Sequence, residues 1–309
     1  MQLTISIVNW NTKELLQNCL NSIFQNYTGS DFEVIVIDNN SNDGSFEMLE
    51  RYFPQVKKIK NKENQGFGKA NNQGMAISKG RYILVLNPDI VIRKESIEKM
   101  LDFLDNNKDA GAVGAKLINP DGTIQMKGFY RKFPSLPQIL LFKTVLHRIF
   151  IHFSGITSRY WEYQDTNSPH EVDQIPGACI LVKREVLEKI GGFDEEYFIW
   201  YEDVDWCFRM KKTGWKLYYL PDAEITHFGG QSFLSINSGE KIILFYTSLL
   251  KFVDKNYSKR DYILARLIIT LNFIFINILQ LLIFPFARKK REIWRSNISA
   301  RWRFIQNVH

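Results

Sequence analysis

The chain has 309 residues, of which 45% are hydrophobic, 14% aromatic and 24% charged. That composition excludes a disordered or collagen-like polymer and allows one large domain or two ordinary ones. Its net charge of +7 is unevenly spread: from Lys255 onward there are eleven basic and two acidic side chains (+9), against 29 basic and 31 acidic in the rest (−2). A near-neutral body argues against nucleic acid as a partner, whereas a basic tail suits an anionic lipid surface.

Leu3, Ile5 and Ile7 alternate with Thr4 and Ser6, which predicts a strand. A helix follows, with Asn11 as the expected N-cap, Glu14 three residues on, and Leu15, Leu16, Cys19, Leu20 and Ile23 on one face. The apolar run Val34–Ile37 ends in Asp38 and reads as a strand covered on both sides. A helix over Ser45–Tyr52, a strand near Lys57–Lys60, a helix within Gly68–Ser78 and a strand Tyr82–Leu86 complete a βαβ rhythm. This predicts a doubly wound, Rossmann-like α/β core.

After Gly111 the rhythm breaks down. Gly111–Ile118 and Ala178–Val182 read as strands, separated by a long segment with an amphipathic stretch, Gln138–Phe153. Gly191-Gly192-Phe193-Asp194 reads as a turn, Val204–Lys212 as a helix, and Leu217–Leu220 and Ile225–Phe228 as two short strands. From Lys241 the chain becomes helical and apolar. The three cysteines, Cys19, Cys179 and Cys207, are odd in number and widely spaced, so neither a disulfide scaffold nor a structural zinc site is expected. The start MQLTISIVNWN has no basic region followed by an apolar run, so no signal peptide is expected and the body is expected in the cytosol.

Ligands of open α/β sheets bind beyond the carboxyl ends of the strands, where this reading places Asp38 and Asp89. Asp38 opens an Asn-rich loop that is equally an Asx-type turn. Asp89, pushed outward by Pro88, is either a ligand of a metal held mainly by phosphate oxygens or the N-cap region of a following helix. Glu202, Asp203 and Asp205 begin a helix and flank an aromatic group containing Phe198, Trp200, Tyr201 and Trp206. They are either acids complementing the helix dipole, with Asp205 paired to Arg209, or a general base beside a sugar-stacking wall. His227 is either structural or part of a metal shell with Asp89. GxGxxG is broken at Asn71 and no GxxxxGK[ST] occurs, so dinucleotide oxidoreductases and P-loop enzymes have little support.

Several segments resemble a family 2 inverting glycosyltransferase. They are Ile5–Asn11, Val36–Ser45, Asn64–Asn72, Leu86-Asn87-Pro88-Asp89, Gly177-Ala178, Gly191–Glu195, Tyr201–Asp205 and His227–Ser232, in order over residues 3–232. The Asn-Pro-Asp version of the metal motif is most similar to the rhamnosyltransferase-like branch. The resemblance implies a GT-A fold and a nucleotide-sugar donor, dTDP-rhamnose or a UDP-hexose. It implies that Asp38 meets the pyrimidine, that Asn9, Asn64, Gly66 and Asn71 line the nucleotide, and that Asn87, Trp200 and Glu202 lie at the substrates. Asp89, with His227, would bind Mg²⁺ or Mn²⁺ through the diphosphate, and Asp203 would be the base. Asn87 replaces the first acid of the DxD motif, so strong metal binding is expected only with donor present. The QxxRW signature of processive synthases is missing, because Ile298 stands where Gln belongs before Arg301-Trp302, and single-sugar addition is expected.

Residues 1–240 are thus expected to form the GT-A domain, with a nucleotide half to about residue 110 and an acceptor half over 111–240. Residues 241–309 would form a membrane-associating tail. Within the tail, Leu267–Ala287 is 21 residues without a charge, long enough to span a bilayer. Arg266, Thr270, Asn277 and Gln280 nevertheless form a polar arc, Pro285 interrupts the end, and Lys259-Arg260 and Arg288–Arg291 make both flanks basic. Basic flanks on both sides oppose spanning and favour a helix lying in the cytoplasmic leaflet, with burial in a core or an oligomer as the alternative. The expected function is inverting transfer to a hydroxyl of a lipid-linked or cell-surface glycan, peripheral or monotopic at the cytoplasmic face of the cell membrane. A non-catalytic nucleotide-sugar or glycan-binding protein on the same fold is the rival class, and a nucleotidyltransferase a weaker one.

Overall fold

The computed structural model describes residues 1–125, 132–142, 167–230, 236–283 and 291–307. The chain divides into two units. One comprises residues 1–133, 162–198 and 202–232, the other residues 134–161, 199–201 and 233–309.

The first unit is built on one nine-stranded sheet. Its strands are β1 (Leu3–Asn9), β2 (Phe32–Asp38), β3 (Lys57–Lys60), β4 (Tyr82–Leu86), β5 (Ile90–Ile92), β6 (Ala110–Ile118), β7 (His170–Val172), β8 (Cys179–Lys183) and β9 (Lys216–His227). The spatial order is β3-β2-β1-β4-β8-β6-β9-β5, with β7 on β9. Strands β1 to β4 pair in parallel, whereas β8 runs antiparallel to β4 and β6. The helices are α1 (Lys13–Asn26), α2 (Ser45–Tyr52), α3 (Phe67–Ile77), α4 (Ser96–Asn106), α6 (Arg184–Ile190) and α7 (Glu202–Lys212), with α5 (Leu136–Phe142) belonging to the second unit. Leu3, Ile5 and Ile7 bury against Leu16, Cys19, Leu20 and Ile23 of α1. On the opposite face Val8, Ile35 and Ile37 meet Ala70 of α3. Gly74 lets α3 approach closely, because a Cβ there would lie 2.6 Å from Ser6 Oγ and 2.8 Å from Ile37 Cδ1.

Three expectations are corrected. Asn11 does not cap α1: it lies at φ 52°, Thr12 is the cap residue, and Asp43 Oδ2 from the β2–α2 loop accepts the Lys13 N–H at 2.8 Å. No helix follows Asp89 directly, because β5 intervenes and α4 starts only at Ser96. The two short strands after Gly214 are one strand, β9, paired to β6 in two stretches on either side of an irregularity at Pro221–Ala223. Pro221 has no N–H for the ladder, so the pairing slips there without ending the strand. Of the expected stretch Gln138–Phe153, α5 covers the start and residues 143–153 lie outside the described residues.

The second unit contains α5, α8 (Ser238–Asn256), α9 (Lys259–Ile283) and α10 (Arg291–Asn307). Asn237 caps α8, its side chain accepting the Glu240 N–H at 2.9 Å. Tyr246 of α8, Phe273 of α9 and Phe304 of α10 join edge-to-face, with centroids 4.7 Å and 5.3 Å apart along that chain. The polar arc of α9 is partly turned inward: buried Arg301 of α10 donates from Nη1 to Asn277 Oδ1 at 2.7 Å and to Gln280 Oε1 at 2.9 Å. The opposite stripe, Ile263, Leu267, Leu271, Phe275, Ile278 and Leu282, is exposed. Residues 288–290 of the basic flank, and Pro285, lie outside the described residues.

Candidate active site

Parallel pairing brings the ends of β1 and β2 side by side, with Asn9 opposite Asp38. Both are fully buried. Asn9 Nδ2 donates to Asp38 Oδ1 at 2.9 Å and to Ser41 Oγ at 3.0 Å, while Thr12 Oγ1 donates to Asn9 Oδ1 at 2.7 Å. Asp38 Oδ2 accepts the Ser41 N–H at 3.0 Å, so Asp38 does make the Asx-type contact that its loop composition allows. The sequence reading overlooked Asn39, which ties this loop to the next one. Buried Asn39 donates from Nδ2 to Asn64 Oδ1 at 3.1 Å and to the Gly66 carbonyl at 3.0 Å, and its Oδ1 accepts from Asn61 Nδ2 at 2.8 Å. Its only sequence signal was the density of Asn residues at a strand end.

Gly66 sits at φ +81°, and a Cβ there would lie 2.4 Å from the Phe198 carbonyl oxygen, which accepts the Phe67 N–H at 3.0 Å. Only glycine fits that close approach. Gly66→Ala is therefore expected to destabilise the chain by more than about 1 kcal/mol. A thermal-unfolding midpoint equal to wild type would show that the Asn64–Phe67 turn relaxes freely. Asn71 is fully buried on α3, accepting from Ser6 Oγ at 3.3 Å and donating to the Phe67 carbonyl at 3.1 Å. It braces the helix against the sheet.

Asp89 and His227 are brought together by β5–β9 pairing, in which Ile90 stands opposite His227 and the Phe228 N–H reaches the Asp89 carbonyl at 3.0 Å. The Asp89 Oδ1 and His227 Nε2 atoms are 3.3 Å apart, and both side chains are buried. Asp89 Oδ1 accepts no hydrogen bond among the described residues. His227 Nδ1 lies 2.7 Å from Gln125 Oε1. A carbonyl oxygen only accepts, so Nδ1 is the donor of this bond, and Nε2 holds a lone pair when the ring is neutral. With the ring neutral, two acceptors face each other in a buried place, an arrangement that a divalent cation satisfies. The described residues hold no cluster of three His, Cys, Asp or Glu side chains, so a cation here would complete its shell with substrate phosphate and water, as Mg²⁺ does. Asn87, half-buried at the end of β4, donates its N–H to the Ala178 carbonyl at 2.9 Å.

That contact leads to Gly177, whose N–H donates to Asp203 Oδ2 at 2.8 Å, while Asp203 Oδ1 accepts the Val204 N–H at 2.8 Å. Burial raises the Asp203 carboxyl pKa, and these two amides offset part of the rise. Glu202 is buried with Oε2 unbonded among the described residues, and burial followed by the Asp203 charge pushes its pKa well up. Asp205 takes the bland role: it pairs with Arg209 at 2.7 Å, and Arg209 holds the carbonyls of Ile190 and Gly192 at 2.9 and 2.7 Å. A second overlooked residue, Asn72, exchanges two hydrogen bonds with the Phe193 backbone, at 2.9 and 2.8 Å, and fixes the Gly-Gly-Phe turn to α3. Trp200 belongs to the second unit, where its ring lies 6.0 Å from Phe245.

Residues 4–191 match Glycosyl transferase family 2. The chain is 32% identical over 208 residues to the N-acetylglucosaminyl-diphospho-decaprenol L-rhamnosyltransferase of Mycobacterium tuberculosis, covering 63% of this chain and 66% of that one. It is 27% identical over 235 residues to the dTDP-rhamnosyl transferase RfbF of Shigella flexneri, covering 74% and 70%. The match thus spans a little under two thirds of the mycobacterial relative. Among solved structures, the mannosyltransferase PcManGT of Pyrobaculum calidifontis, in complex with GDP-Man and Mn²⁺, has a TM-score of 0.58 at 15% identity, covering all of this chain and 88% of that one. S. aureus TarS 1-349, in complex with UDP-GlcNAc, has a TM-score of 0.56 at 18% identity, covering 100% and 82%. The sheet is that of a GT-A glycosyltransferase, and the chain belongs to glycosyl transferase family 2.

Proposed function

We propose that this glycosyltransferase inverts the anomeric carbon as it moves one sugar from a nucleotide diphosphate, dTDP-rhamnose or a UDP-hexose, to a glycan hydroxyl. The convergence of Asp89 and His227 at strand ends is the observation that carries this reading. A Mg²⁺ or Mn²⁺ ion bound there would neutralise charge on the departing diphosphate. Asp203, held by two amides, takes the proton of the acceptor hydroxyl as it attacks. One base and direct displacement give inversion. Asp38, Asn9, Asn64 and Gly66 shape the nucleotide end, and Asn87 and Glu202 border the reacting sugar. The rhamnosyl relatives favour dTDP-rhamnose as the donor. The test is a screen of nucleotide sugars for binding, followed by metal-dependent hydrolysis of the ligand found. Binding without transfer or hydrolysis under any condition would favour the non-catalytic alternative.

The same reading takes the acceptor to be lipid-linked and the chain to work at the cytoplasmic membrane surface, with a self-associated oligomer as the rival for the tail. Helix α9 supports this. It turns Asn277 and Gln280 inward onto Arg301 and an apolar stripe outward, the reverse of a helix built for water. Lipid burial of that stripe gains roughly 25 cal/mol per Å² of apolar area, and each nearby Lys or Arg adds about 1 kcal/mol at an anionic surface. Replacing Leu271 and Phe275 together by Glu is expected to abolish sedimentation with anionic vesicles while leaving nucleotide binding intact. A wild-type chain that ignores such vesicles, yet loses a dimer on this double substitution, would assign the stripe to self-association.

A further inference from the structure

A short hairpin follows β6 and reaches residue 125. Asn119-Pro120-Asp121-Gly122 turns the chain, with Asn119 accepting the Gly122 N–H at 2.9 Å and donating its own N–H to the Thr123 carbonyl at 2.8 Å. Gly122 takes φ +85°, and Ile118 bridges Ile124. The return strand places Gln125 beside His227, 102 residues away in sequence.

The side chains of this hairpin form an unbroken series of hydrogen bonds whose direction is set at one end. Asp121 Oδ1 accepts from Thr123 Oγ1 at 2.6 Å and from the Thr123 N–H at 3.0 Å. Those two bonds also hold the Asp121 carboxyl below its ordinary range, so it stays an acceptor. The Thr123 hydroxyl has then spent its proton, and its oxygen accepts from Asn119 Nδ2 at 2.9 Å. That leaves Asn119 Oδ1 facing the hairpin's far end, where it accepts from Gln125 Nε2 at 2.8 Å. Gln125 must therefore offer Oε1, not its amide nitrogen, to His227 Nδ1 at 2.7 Å. The room for this amide comes from Gly229, where a Cβ would lie 3.2 Å from Gln125 Nε2 at φ +67°.

We propose that this relay, Asp121–Thr123–Asn119–Gln125, fixes the His227 tautomer, so that Nε2 keeps its lone pair and joins Asp89 as a cation ligand. Gln125 is a positioning residue: it touches neither the cation nor substrate, and acts through the imidazole. The inference rests on the metal reading above for its purpose, but the tautomer is a property of the protein alone. In the neutral ring the one proton stays on Nδ1, and a cation would take the Nε2 lone pair without displacing it.

The test uses the full chain and two readouts. Nitrogen-15 NMR of the metal-free protein, at about pH 8 and so above the ordinary histidine range, is expected to show His227 as the neutral Nδ1–H form. In Gln125→Leu that preference is expected to disappear. Mn²⁺ uptake, followed by EPR of the free ion in the presence of UDP or dTDP, is expected to weaken about 10–100-fold in Gln125→Leu, the usual loss on removing an outer-shell partner of a metal-bound histidine. Gln125→Glu loses the amide N–H that Asn119 Oδ1 accepts but keeps an acceptor against Nδ1, and is expected to retain the proton on Nδ1 and more Mn²⁺ uptake than Gln125→Leu. An Nε2–H or doubly protonated imidazole in the wild type would overturn the relay. So would wild-type Mn²⁺ affinity in a Gln125→Leu protein that unfolds at the wild-type temperature. The Nδ1–H form in a wild type that takes up no Mn²⁺ with either nucleotide would instead sink the metal reading and leave the relay in place.

Discussion

Asp203→Asn is expected to reduce sugar transfer by about 10²–10⁴-fold, the range that a positioned general base contributes, with donor affinity near that of wild type. The substitution keeps the shape of the side chain at the start of α7 and removes its basicity. An amide oxygen can still accept one of the two N–H groups, from Gly177 and Val204, that hold the carboxylate. The pH profile gives an independent check. Only the ionised form of Asp203 accepts a proton, and burial raises its pKa above the usual carboxylate value. Activity should therefore fall as pH drops through that raised value, so the acid limb of kcat/KM against pH lies above the ordinary Asp range of about 3.9. Asp203→Asn should lose that limb. Substantial transfer by Asp203→Asn would move the base to Glu202. Asp205 is no substitute, because its carboxylate is committed to Arg209 at 2.7 Å.

Asp89→Ala is expected to weaken binding of the intact donor far more than binding of the free nucleoside. Only the diphosphate would share a cation with Asp89, whereas the base and ribose would meet the Asn9–Asp38 and Asn64–Gly66 loops. The loss should exceed the roughly 10–100-fold that removing an outer-shell partner costs, because here a first ligand is removed. His227→Ala should follow the same pattern more mildly, since Asp89 remains to hold the cation. Calorimetry with nucleoside, nucleoside diphosphate and donor, each with and without Mn²⁺, separates the cases. Equal losses for nucleoside and donor would mean that Asp89 supports the β5–β9 junction and holds no metal.

Much of the first unit was legible because its signals are local. Alternation announced β1, apolar runs of four or five residues ending in a polar residue announced β2 and β4, and the side chains at or just past the ends of these last two, Asp38 and Asn87, gather where parallel strands must deliver them. The pairing of Asp205 with Arg209 was legible for the same reason, as both lie one turn apart on a helix. The family motifs reached further, because their order along the chain carries information that no single segment holds.

What escaped was decided between segments distant in sequence. Asp43, and not Asn11, serves the start of α1, because the loop after β2 folds over that helix end. Asn39, Asn72 and Gln125 read as ordinary polar loop or helix residues, and their roles depend on partners 25, 121 and 102 residues away. Asn71 sits within a matching motif, yet its place on α3 turns it into the sheet. The tail shows the limit most plainly. By itself the sequence determined that α9 has a polar arc and an apolar stripe, since both follow from helical spacing. Which one faces inward was decided by α10, whose Arg301 gives Asn277 and Gln280 a charged donor away from water. A buried amide without a partner is costly and an exposed leucine is not, so the position of one arginine set the orientation of the helix.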